Sequence, residues 1–200
     1  DPKMEVDSCR IDVEQQDDLL KFKADIIGTP VNEASAFTFT LNPGFKVASV
    51  TMNGKPLQFQ REEHLLVIDF PAKVKSDERV AFTIEYEGVA DERICYLDIP
   101  EETLNQQEKF MDNFNIGKKY GYQSEEYTLL TPEIYWYPRP GICYSSESPD
   151  WQQSYFTNFS MKVKPNEGMT VLSQGERKLS ADSLVPSFYP EYPLQSLSLI

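Results

Sequence analysis

One His, three Cys and 32 acidic residues are the groups in this 200-residue chain with the strongest claim to chemistry. A hydrolytic zinc site needs clustered His, Cys or carboxylate ligands, and the H-E-x-x-H helix supplies two of them with a general base. That motif is absent, and His64 stands alone in or beside an apolar strand. A Ser-His-Asp or Cys-His arrangement would have to use His64 as its base. No G-x-S-x-G elbow presents a nucleophile to it, and there is neither a Walker-type phosphate loop nor a G-x-G-x-x-G turn. Acid pairs such as Asp17-Asp18, Glu62-Glu63 and Glu125-Glu126 do glycosidase work only when spaced across a cleft. Chance adjacency accounts for them in so acidic a chain. Cys9, Cys95 and Cys143 show no C-x-x-C spacing. One bridge stays open in an oxidising compartment, with free buried thiols the preferred reading. His64 reads as structural or solvent-facing. No catalytic residue, metal ligand or cofactor is therefore assigned to this chain.

The most distinctive local feature is Tyr135-Trp136-Tyr137-Pro138. A Trp flanked by Tyr and stiffened by Pro can anchor the edge of a β-domain against a neighbour, or it can line a cleft. Tyr120, Tyr122 and Tyr127 lie close by and favour an amphipathic surface that meets something. That surface is not one for nucleic acid. With 32 acids against 19 bases the net charge is −13, whereas phosphate binding needs clustered positive charge. An anionic membrane surface is disfavoured for the same reason. No run of about 18 apolar residues offers a membrane span.

The elements that must position these residues are strands. Phe37, Phe39 and Leu41 alternate with Ala36, Thr38 and Thr40, which is the period of a half-buried strand. Asn42-Pro43-Gly44 is turn chemistry. Ala48, Val50 and Met52 form the next set, and Asn53-Gly54 then predicts a type I′ hairpin back through Leu57 and Phe59. His64–Phe70 is nearly continuous in apolar residues and predicts a strand buried on both faces, ended by Pro71. Val80, Phe82, Ile84 and Tyr86 give the cleanest strand, closed by Gly88. Two earlier strands are expected over 4–13 and 19–27, joined by a polar turn at Gln15–Asp18 and stopped by Gly28-Thr29-Pro30.

Beyond Gly88 the pattern loosens. The segment Glu101–Met111 reads as a short surface helix. Strand character returns at Glu126–Leu130, an irregular loop is expected from Arg139 to Asp150, and Tyr155–Val163 alternates again. Asn166-Glu167-Gly168 turns that strand towards a partner at Met169–Ser173. The whole predicts an all-β, antiparallel sandwich or saddle of two packed sheets with that one short surface helix, as a single domain over 1–200. Asp1-Pro2 and the abrupt end of the apolar stretch Leu194–Ile200 suggest a segment of a longer chain.

The order of these features resembles the N-terminal β-domain of the gluzincin zinc aminopeptidases, the family of aminopeptidase N and leukotriene hydrolase. The resemblance rests on the run from Leu41 to Val47, on Ser49 to Leu57, on the strand end Ile84-Glu85-Tyr86-Glu87-Gly88, and on Trp136-Tyr137-Pro138. It extends through Phe159–Pro165 and Val171–Gly175. The matches keep their order over roughly residues 35 to 175. Where many members continue the aromatic-Pro element into a Cys-x-Asp-x-Pro-like run, this chain has Arg139-Pro140-Gly141-Ile142-Cys143 and a longer loop.

The resemblance implies that the zinc, the H-E-x-x-H helix and the G-x-M-E-N exopeptidase loop belong to a following catalytic domain, expected after residue 200. This segment would pack on that domain, wall the substrate cleft and cap the peptide's N-terminus, with the peptide substrate reached via that domain. It further implies that an acid or amide ahead of the aromatic-Pro element binds the substrate's α-amino group. Glu133 is the nearest such residue, at closer spacing than the family's, and a structural role for it stays open. The sequence style also resembles bacterial proteins fusing such a peptidase region to an ABC-type permease. That places the segment outside the cytoplasmic membrane, tethered by membrane segments elsewhere. Two other readings remain beside this one: a stand-alone β-sandwich binding module with a tyrosine-rich surface, and a degenerate structural domain of a transporter fusion.

Overall fold

The computed structural model describes residues 3–92, 94, 121–142, 155–179 and 185–200. The strands are β1 (Met4–Gln16), β2 (Leu19–Pro30), β3 (Ala34–Thr40), β4 (Phe45–Met52), β5 (Lys55–Pro56), β6 (Gln58–Glu62), β7 (Leu65–Val74) and β8 (Val80–Gly88). They are followed by β9 (Gly121–Gln123), β10 (Thr128–Leu130), β11 (Arg139–Pro140), β12 (Asn158–Lys164), β13 (Glu176–Leu179) and β14 (Pro186–Tyr189). Eight form one large sheet in the order β13-β14-β12-β1-β2-β8-β4-β5. Four form a smaller sheet, β11-β3-β7-β6, and β9 pairs with β10. The all-β class expected from alternation is what the chain adopts. The helix expected over Glu101–Met111 lies outside the described residues.

Why these residues form these strands is clearest in β1, β2 and β8, where every second side chain is buried. Leu20, Phe22, Ala24 and Ile26 of β2 face the same core as Val80, Phe82, Ile84 and Tyr86 of β8. The small sheet covers this face. Its Phe39 and Phe70 meet Phe82 edge-on at 5.7 and 5.6 Å between ring centroids. Edge-to-face packing of this kind adds to the burial of each ring. Among the described residues pairing is antiparallel except at one seam, where β1 runs parallel to β12 from Ser8↔Asn158 to Glu14↔Lys164.

Bulges explain most departures from simple alternation. In β1 the buried set shifts from Met4 and Val6 to Cys9, Ile11 and Val13, because the register slips between Val6 and Ser8. In β4 a slip between Val47 and Ser49 leaves Ala48 exposed rather than aligned with Val50. The extra residue of a bulge reverses which face the following side chains take. Asn53 and Gly54 both have positive φ, 53° and 73°, so the turn is the one their pairing predicts. The return strand, however, is only Lys55–Pro56, and Phe59 belongs to β6 of the small sheet.

Other expectations need correcting. Strand β7 is fully buried on one face only, through Leu66, Ile68 and Phe70. Its pairing with β3 jumps from Ala36↔Asp69 to Ala34↔Val74, so Pro71 sits in an irregularity and does not end the strand. Conversely, β3 is buried on both faces at its end, where Thr38 and Thr40 are buried along with Phe37 and Phe39, and β11 pairs with it there at its edge. That two-residue strand occupies the start of the stretch expected to be irregular. Strand β2 likewise continues through Gly28 and Thr29 to Pro30. The segment Met169–Ser173 makes no hairpin with β12, whose neighbours are β1 and β14. Instead Leu172 and Ser173 meet Ile200 and Leu199.

The outer face of the large sheet carries two rows of alternating charge. One runs Lys164–Glu14–Lys21–Glu87–Lys46 across five strands, and the other runs Lys162–Asp12–Lys23–Glu85. Opposite charges directly across a ladder stabilise it, and like charges do the reverse. Lys23→Glu faces both Asp12 and Glu85, so it is expected to cost about 1–2 kcal/mol. The cost should shrink in molar salt, and paired denaturant titrations at low and high ionic strength will show whether it does.

Candidate functional site

The segment Thr131–Ile142 is the place where the sequence-singled residues come together. Pro132–Ile134 forms one 3-10 turn, with the Tyr135 N–H bonded back to the Pro132 carbonyl at 3.1 Å. Tyr135 takes the left-handed conformation, φ 51° and ψ 45°. A non-glycine residue holds that region at a cost of order 1 kcal/mol, so its surroundings must impose it. The Asn42 N–H donates to the Tyr135 carbonyl at 2.9 Å, and the Arg139 guanidinium lies over the Tyr135 ring at 5.4 Å.

Trp136 is wholly buried, with Tyr137 beside it. The Trp136 indole Nε1 donates to the Leu197 carbonyl at 3.1 Å, while the Leu197 N–H donates to the Tyr137 hydroxyl at 3.2 Å. The Tyr86 hydroxyl donates to the Trp136 carbonyl at 3.1 Å. Burial pushes the Tyr86 phenol well above its ordinary value, so it stays a donor throughout the working pH range. Trp136 also packs on Phe22, and Tyr137 on Phe159, both from the large sheet. Pro138 is buried, after which Arg139-Pro140 pairs with β3. The aromatic element is thus inside this chain, stitching β3, β8 and the stretch around Leu197.

Glu133 is the exposed member of the 3-10 turn. It shares that turn with the buried Ile134, which holds the turn from beneath. Tyr122 and Tyr127 are 42% and 46% exposed and touch at 5.7 Å between centroids, on the β9–β10 hairpin. Tyr120 lies outside the described residues.

The residue that sequence reasoning missed is Asn42, which read only as part of a turn. It is fully buried and every polar atom of its side chain is used. Nδ2 donates to the Ile134 carbonyl at 2.8 Å and to the Asp91 carbonyl at 3.0 Å. Oδ1 accepts from the Gly44 and Asp91 N–H groups, both at 2.8 Å. An amide has two donors and one two-lone-pair acceptor, so this set is complete. Arg61 Nη2 clamps the same place from below, donating to the Leu41 and Asn42 carbonyls at 2.9 and 2.7 Å. Burial lowers the Arg61 guanidinium to about 10, still charged at neutral pH. The signal available in sequence was an Asn closing an apolar strand directly before Pro-Gly.

His64 sits in the β6–β7 turn, half-buried, with Nδ1 enclosed and without a hydrogen-bond partner. Desolvation lowers its ring below the ordinary imidazole value, Arg61 adds to that, and Glu63 and Glu62 oppose it. The unfolded chain then binds the proton first, so stability is intact above about pH 6.5 and falls as pH drops through that value. His64→Gln is expected to flatten this slope between pH 7 and 5, read from denaturation midpoints. Cys9 is buried, and desolvation raises its thiol to about 12, which keeps it an unreactive thiol. Cys95 and Cys143 lie outside the described residues. Among the described residues no group of three or more His, Cys, Asp or Glu could hold a metal ion. These residues do not fit a zinc site, and no step through zinc is assigned to them. No helix among them is long and apolar enough to cross a membrane.

The architecture is one found within zinc metallopeptidases. The chain is similar to the M1 zinc metallopeptidase of Deinococcus radiodurans, at a TM-score of 0.71 and 11% identity, over 98% of this chain and 42% of that one. It is also similar to the leukotriene A4 hydrolase of Saccharomyces cerevisiae, at a TM-score of 0.62 and 10% identity, over 98% of this chain and 28% of that one. The chain therefore spans well under half the length of these proteins, and the family resemblance read from the sequence is met at the level of the fold. No known protein-family model matches the sequence. No curated protein matches it either.

Proposed function

We propose that this chain is the N-terminal β-domain of a zinc aminopeptidase-like protein, packing on a catalytic domain of the same polypeptide and walling the cleft near the peptide's free amino end. The observation that carries this reading is a likeness spanning 98% of the chain but only 42% and 28% of two hydrolases. A mutant of the Deinococcus peptidase has been solved with a Tyr-Ser-Ala substrate, which supports a peptide as the substrate class here. Zinc would be held by the catalytic domain.

Within this reading the carboxylate of the exposed Glu133 binds the substrate's α-amino group. Charge-assisted hydrogen bonds contribute about 1.5–3 kcal/mol. Glu133→Ala in the full-length protein is therefore expected to raise KM for an aminoacyl-fluorophore roughly 10- to 100-fold. Metal analysis is expected to find zinc in the full-length protein and none in residues 1–200 alone. Stoichiometric zinc, or aminoacyl-fluorophore release, in residues 1–200 would overturn the assignment. The exposed Tyr122–Tyr127 pair favours a second reading, a binding module, which predicts a full-length protein without zinc or peptidase activity. The extracytoplasmic placement beside a permease belongs to the same proposal, and fractionation of cells carrying the full-length protein tests it.

A further inference from the structure

Glu133 is exposed on a single short 3-10 turn. The backbone that follows it is clamped by a residue 91 positions earlier, Asn42. We propose that Asn42 is the positioning residue of this turn, placing the backbone from which the Glu133 carboxylate projects by binding the two carbonyls on its C-terminal side. This rests on the reading of Glu133 as the group that meets the substrate's amino end.

The geometry is specific to that task. Asn42 reaches two successive carbonyls just after Glu133: its Nδ2 takes Ile134 and its backbone N–H takes Tyr135. Two bonds to adjacent peptide units fix both the height and the rotation of the turn, which one bond does not. They also hold Tyr135 in its left-handed conformation. The other side of the amide is anchored on the Gly44 and Asp91 N–H groups, and Arg61 pins the Asn42 carbonyl from the β6–β7 hairpin. The amide is therefore a fixed point between the large sheet's connecting loops and the turn. A misplacement of about 1 Å at a binding group is enough to lose much of its effect.

The test is a double-mutant cycle in the full-length protein with an aminoacyl-fluorophore. Asn42→Ser is expected to raise KM by roughly three- to tenfold with kcat within about twofold, as loss of aim at a binding group demands. In the Glu133→Ala background the same substitution is expected to change KM by less than about twofold, because the group it aims is gone. An equal rise in both backgrounds would overturn the positioning role while leaving Glu133 as the amino-end group. Should Glu133→Ala itself leave KM unchanged, the reading of Glu133 fails and the inference with it. If Asn42→Ser melts below the assay temperature, Arg61→Lys carries the same comparison. It slackens the clamp on the Asn42 carbonyl and leaves the amide in place.

Discussion

Trp136→Ala is expected to destabilise the domain by about 3–5 kcal/mol, the range for removing a large buried aromatic. In a protein of this size that corresponds to a fall in Tm of roughly 10 °C, measured by circular dichroism. The indole is wholly buried and packs on Phe22 and Tyr137. Its Nε1 bond to Leu197 also closes the stretch around that residue over the sheet. Trp136→Phe keeps much of the packing and loses only that bond, leaving the Leu197 carbonyl unpaired, at an expected cost of about 1–3 kcal/mol. A loss below about 1 kcal/mol for the alanine variant would contradict the burial described above.

Asn42→Ala is expected to rival it despite removing fewer atoms. It strips partners from two carbonyls, Ile134 and Asp91, and from two N–H groups, Gly44 and Asp91. Each buried polar group left unpaired costs about 1–3 kcal/mol before relaxation, so a net loss of about 3–5 kcal/mol is expected. Asn42→Asp separates the two halves of the amide. It retains the acceptor for the N–H groups and turns an ionised oxygen towards the two carbonyls. This variant is expected to recover stability as pH falls and its carboxyl gains a proton to donate. Denaturant midpoints at pH 7 and pH 5 will show the recovery relative to the unsubstituted protein, and a deficit against that protein that grows on acidification would contradict the assignment of Nδ2.

How much of this was legible in the sequence depends on the range of the interaction. Strand β8 and the Asn53-Gly54 hairpin are local patterns, set by alternation and by tolerance of positive φ, and both are where the pattern puts them. The two-sided burial expected for His64–Phe70 is not found, because burial on the second face depends on which strand comes to lie there. Thr40 shows the converse. It is polar and reads as outward, yet it is fully buried, and its hydroxyl is satisfied there by donating to the Gly141 carbonyl at 2.8 Å. The aromatic run at 135–138 stood out by composition, but its place in the interior is set by Asn42, Tyr86 and Leu197, each at least 50 residues from the residue it bonds. A hydrogen-bond hub of that kind leaves no periodic trace. The bulges at Asp7 and Ala48 are equally silent, since one inserted residue looks like ordinary noise in an alternating pattern.

Strand β1 sits in the middle of the eight-stranded sheet and finds its second neighbour, β12, about 150 residues further on. During synthesis from the N-terminus, the hairpin with β2 can close at once, while the other edge of β1 waits for most of the chain to emerge. Pairings of such long sequence separation fold slowly, and an unpaired, regularly apolar edge is a template for strands of other molecules. Truncations ending before residue 158 are therefore expected to form β1–β8 pairings yet to self-associate. The parallel seam makes the domain's last third the guard of its first strand.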